Sequence, residues 1–251
     1  VSQPRPTPAL LAGIPRHFVE GFAAAAIPVV FAVRLFPTEA SLLSVCLAAL
    51  LTVDGVGRLS EARGLEPGHL VARLAATFTG SALGYALLAL LLPRADARTA
   101  FARQLAYLPD ARLEHAGFGD FGAILLANLY VLLFFLAVAF GFRKGGLMLA
   151  VAWNASVWGA VFGTLAREGG LLPFLAAAGP HMAAEAAAYV AGGLGGVLLG
   201  RGVLRVALRG EDRWDVLVGA AGRLLLLAVG LLCAAATWEA FIATRILVLL
   251  R

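Results

Sequence analysis

Residues 120–142 read DFGAILLANLYVLLFFLAVAFGF, and after Asp120 the only polar side chains in the stretch are Asn128 and Tyr130. A helix rises about 1.5 Å per residue, so a run of this length reaches across the roughly 30 Å hydrocarbon core of a bilayer. A helix on the surface of a soluble domain would need a continuous polar face, which this run lacks. The stretch therefore decides the class: an all-α protein built from membrane-spanning helices.

The same pattern recurs on both sides of it. Apolar runs extend over about Glu20–Phe36 with Pro28 inside, Glu39–Val56, and Leu70–Leu92 closed by Pro93. After 120–142 come about Gly146–Ala166, a run from Pro180 to about Leu199, and Ala220–Leu249. The expectation is a polytopic transmembrane helix bundle of about seven spans. The run 39–56 is the weakest and also fits a helix lying in the interface. The last run exceeds the minimum, so it tilts or emerges past the headgroups.

Composition agrees. Of 251 residues 61% are hydrophobic and 14% charged, and the mean hydropathy is +0.88. That is too little polar surface to cover a soluble core, and the runs leave no room for a large soluble enzyme domain. The net charge of +5 does not point to nucleic acid, because the basic residues fall mainly between apolar runs, as membrane-flanking anchors do. The partners expected are the lipid bilayer and other membrane proteins or a second copy of the chain. Cys46 and Cys233 each sit inside an apolar run and read as small buried hydrophobes.

Residues 1–17, with Pro4, Pro8 and Pro15, read as a disordered or interfacial lead to a single membrane domain over 18–251. Within it, 94–118 places Phe101, Leu105, Tyr107 and Leu108 at near-helical spacing among charges, which predicts a short amphipathic surface helix. With seven spans, Arg58, Arg63, Arg143, Lys144 and Arg201–Arg213 fall on the side of the N-terminus. The excess of basic residues there predicts a cytoplasmic N-terminus in the cell's inner membrane. Gly192 and Gly196 form a small-xxx-small pair suited to close helix packing.

The informative residues are polar groups at bilayer depth: Asn128, Asn154, His181, Glu185 and Glu239. An ionisable group there costs a few kcal/mol on insertion scales, roughly 2.5–3.5, and so faces partners or water. His181 and Glu185 are four apart and share a helix face. Pro180 suits a first helical turn, where its missing N–H costs nothing, so His181 is predicted to open the sixth span at the outer face. Two readings stand: one shared cluster opening outward, or separate helix–helix hydrogen bonds.

The segment Pro180-His181-Met182-Ala183-Ala184-Glu185 resembles the Pro-His-Gly-x-x-Glu signature of the stage II sporulation protein M family. The asparagine of Ala127-Asn128, the pair Asn154-Ala155 and the ending Glu239-Ala240-Phe241-Ile242-Ala243-Thr244 fit the family in order and spacing over roughly 120–250. Met182 and Ala155 stand where the family has glycine. The resemblance implies a multi-spanning inner-membrane protein. It further implies a membrane-embedded component working with partners, since the sporulation member joins two others in remodelling the cell wall during engulfment.

Three functions are compatible with these residues. The first is a non-enzymatic scaffold or permease-like subunit of a membrane complex, with no cofactor required. The second is an intramembrane metal-dependent hydrolase, with His181 and Glu185 as ligands to a divalent metal and Glu239 as third ligand or general base. The third is a proton-coupled transporter, since buried carboxylates beside a histidine suit a proton relay. The first is expected.

Overall fold

The computed structural model describes residues 8–61, 67–106, 118–209, 214–243 and 245–246, and among them every element is helical. The chain divides into two compact units, Val1–Leu108 with Ala152–Thr164, and Pro109–Val151 with Leu165–Arg251.

The first unit holds α1 (Pro8–Leu35), a 3-10 turn (Pro37–Glu39), α2 (Ala40–Glu61), α3 (Pro67–Leu91), α4 (Arg94–Ala100) and α5 (Ala102–Leu105). It also takes residues 152–164 of α7 (Lys144–Glu168). Helix α1 reaches back to Pro8, so part of the expected lead is helical, while residues 1–7 lie outside the described residues. Ala24, Ala25, Val29 and Ala32 of α1 are buried, whereas Val19, Ile27 and Phe31 are exposed. Large apolar side chains outward and small ones inward are what a helix facing lipid on one side and its neighbours on the other requires. A Cβ added at Gly21 would fall on the backbone of Thr77, so α1 and α3 touch backbone to backbone there.

Helices α4 and α5 form the amphipathic segment. Ala97, Ala100, Phe101 and Gln104 are buried, while Arg94, Arg98 and Arg103 point outward. The buried spacing of i, i+3, i+4, i+7 is one helical face. Gln104 takes the buried position and Leu105 is half-buried, and the expected Tyr107 and Leu108 lie outside the described residues.

The second unit holds α6 (Phe118–Phe142), the ends of α7, α8 (Leu171–Arg209), α9 (Trp214–Trp238) and a π turn (Glu239–Ala243). Helix α8 packs against both α6 and α9. On the α6 side the expected Gly192–Gly196 pair is prolonged to Gly200. Added Cβ atoms would meet the Leu132 side chain at Gly192, the Leu136 carbonyl at Gly196 and the Phe140 carbonyl at Gly200. The opposite face of α6 exposes Leu126, Tyr130, Leu133 and Phe134.

Two expectations change. Helix α8 begins at Leu171, nine residues before Pro180, which therefore lies inside the helix rather than at its start. Leucine and alanine dominate 171–178 and keep the helix running. His181 is accordingly about 15 Å along the helix rather than in its first turn. Six helices among the described residues are long and apolar enough to cross a membrane, in keeping with the expected helical membrane bundle. The run 39–56 lies within α2, whose apolar stretch among the described residues is Pro37–Val53. Finally, Cys46 is exposed and Cys233 half-buried, each on an outer helix surface rather than in a packed core.

Candidate functional site

The site lies in the second unit, on one face of α8. His181, Glu185 and Tyr189 succeed one another at i, i+4 and i+8, which stacks them along the helix. Helix α6 supplies Asn128, and the π turn after α9 supplies Glu239.

A chain of hydrogen bonds fixes one carboxylate. Tyr189 Oη donates to Asn128 Oδ1 at 2.7 Å. Asn128 Nδ2 in turn donates to Glu185 Oε1 at 2.6 Å. The phenol sets which way round the amide lies, and the amide then presents an N–H to the carboxylate. Phe135 packs against the Tyr189 ring at 5.7 Å between centroids and holds it in place.

The second carboxylate is placed by backbone geometry. Helix α9 passes at Trp238 into the π turn Glu239–Ala243. The wider turn re-aims the side chains that follow, a feature frequent at functional sites. Trp238 Nε1 donates to Ala177 O at 2.7 Å. That carbonyl lies in the turn preceding Pro180, next to Ala176, whose carbonyl has no proline N–H to accept from. The indole thus ties α9 to the turn of α8 before Pro180. Phe121 and Phe241 stack at 6.5 Å and tie the π turn to α6.

The three ionisable groups converge. One ligand atom from each of His181, Glu185 and Glu239 can be chosen so that all lie within 4.8 Å of one another. His181 Nε2 stands 3.9 Å from Glu239 Oε2, beyond hydrogen-bond length. His181 Nδ1 is buried with no hydrogen-bond partner. The histidine side chain is 13% exposed and that of Glu239 39%, so Glu239 forms the open edge of the site.

Of the five residues singled out in the sequence, Asn128, His181, Glu185 and Glu239 come together in this unit. Asn154 is buried and belongs to the first unit. Sequence reasoning missed Tyr189 and Trp238. Tyr189 was detectable as the next i+4 step after Glu185. Trp238 was not, because its role depends on a carbonyl of another helix.

The first unit has a buried polar set of its own. Gln104 Nε2 donates to Ser41 O at 3.2 Å and to Ser156 Oγ at 3.1 Å. Its Oε1 accepts from Ser41 Oγ, and Ser156 Oγ donates to Trp153 O at 2.7 Å. Gln104 is completely buried.

The family model described as Stage II sporulation protein M matches residues 73–244, more than half of the chain and all five of these polar positions. No curated protein and no solved structure matches the chain.

Proposed function

Because this chain belongs to the stage II sporulation protein M family and is an integral membrane protein, we propose that it is a non-enzymatic, permease-like or scaffolding subunit of a complex in the cell's inner membrane. The observation that carries this reading is where the chemistry sits. Its clustered ionisable side chains lie between apolar helices, and among the described residues the connections on either side of α7 are short. Arg143 alone joins α6 to α7, and Gly169–Gly170 joins α7 to α8. Such links hold no soluble catalytic module. Intramembrane ionisable groups mark binding sites and pathways. A hydrolase would need a free base besides its metal ligands, and both carboxylates of the site are themselves the ligand candidates.

The orientation we propose is multi-pass with a cytoplasmic N-terminus. Arg143, Lys144 and the basic stretch 201–213 then lie inside. This requires α2 to cross. Its 22 residues give a helix of about 33 Å, long enough for the core. Reporter fusions at the N-terminus and at 143–144 test it: both are expected on the cytoplasmic side. An N-terminus found opposite to 143–144 means that α2 lies in the interface and removes the proposed orientation.

The complex itself is tested by purifying the full chain from its own membrane in mild detergent, followed by crosslinking and native mass spectrometry. A defined assembly with a further membrane polypeptide, or with a second copy, is expected. A chain that runs alone, or that turns over substrate unaided, overturns the proposal.

A further inference from the structure

We infer that His181, Glu185 and Glu239 bind one divalent transition-metal ion of the zinc class, clipping α8 to the turn that ends α9. The inference rests on the reading of this cluster as the working centre of the unit, and it adds the ligand.

The donor set is one imidazole nitrogen and two carboxylate oxygens, a combination that suits zinc and its first-row neighbours. Bonds of about 2.0–2.2 Å from zinc to nitrogen and oxygen put neighbouring ligand atoms about 3.3 Å apart in a tetrahedral site. The present separations are 3.9 Å between His181 and Glu239 and at most 4.8 Å across the set. Closing the set takes about 0.6 Å at the His181–Glu239 pair and at most about 1.5 Å elsewhere, within reach of side-chain rotation at the half-exposed Glu239.

Two further observations separate this cluster from an incidental meeting of polar groups. The imidazole makes no hydrogen bond: Nδ1 is buried without a partner, and Nε2 stands too far from Glu239. A metal bond at Nε2, the nitrogen that faces Glu239, gives the buried ring a partner on that side. Second, Glu185 is already oriented by the Tyr189–Asn128 chain. Metal-ligating side chains are characteristically fixed by such outer partners. With three protein ligands the ion keeps a position open for water, on the side where Glu239 is exposed.

The test uses the full chain in detergent, stripped with chelator and dialysed against zinc, with metal counted by mass spectrometry. One equivalent per chain is expected, with at least a tenfold loss in His181→Ala and in Glu239→Gln. Glu239→Gln is isosteric at a half-exposed position, so it carries the test if His181→Ala fails to fold; circular dichroism checks both. Cobalt in place of zinc should give visible absorption bands in the wild type that both variants lose. A wild type that holds no zinc, or folded variants that hold as much as the wild type, overturns the inference. A chain without zinc that still assembles with its partners removes the metal and leaves the proposed function. A chain that binds zinc yet runs alone does the reverse.

Discussion

The two units each bury a polar set, and the sets are built on opposite principles. In the first unit Ser41, Gln104 and Ser156 are neutral, and both amide groups of Gln104 are matched to partners. In the second unit the groups are ionisable and one is left over, since His181 Nδ1 is buried with nothing to bond. A closed neutral network fixes helices to one another and asks for nothing else. An open, ionisable one costs stability unless something outside the chain completes it. The first set reads as architecture, fastening α5 to α2 and α7, and the second as a site.

This contrast is most exposed to a mutation in the architectural set. Gln104→Leu removes three hydrogen bonds worth about 1 kcal/mol each net, and leaves the Ser41 hydroxyl only the bond it accepts from Arg103 N. We expect a stability loss of about 3 kcal/mol in thermal or denaturant unfolding of the detergent-solubilised chain, with zinc binding unchanged. A loss of zinc equal to the loss of stability would show that the two sets are not separable in role.

The reciprocal mutation is smaller in stability and larger in binding. Glu185→Gln keeps an acceptor oxygen for Asn128 and removes a charge that has no ion pair in the metal-free protein. Unfolding of the stripped protein should change by about 1 kcal/mol or less, while zinc is lost. If instead it destabilises as Gln104→Leu does, the second set is architectural too.

What the sequence made legible follows the physics of each feature. Spans were readable because lipid demands long apolar runs, and 120–142 reappears as Asp120–Phe142. The grouping of His181 with Glu185 was readable because i and i+4 share a face. The start of α8 was not, since proline is favoured at a first turn yet tolerated inside a membrane helix. Nor was the π turn at Glu239, which adds no residue type that marks it. Asn154 was not assignable from the sequence to one unit or the other, since α7 is shared between them.

Tyr189→Phe divides the two principles most finely. It deletes one oxygen and, with it, the bond to Asn128, while the ring stays against Phe135. Stability should fall by about 0.5–1.5 kcal/mol, as for one ordinary hydrogen bond. If Asn128 merely fills space beside Glu185, that is the whole effect. If the phenol sets the amide so that Asn128 presents its N–H to a metal-ligating carboxylate, zinc affinity should also drop by about 10–100-fold, the usual consequence of losing an outer partner. Titration of the stripped variant with zinc separates the cases. Unchanged affinity would make the Tyr189–Asn128 chain a second example of the closed network seen around Gln104, and would leave His181 and Glu239 to hold the ion without it.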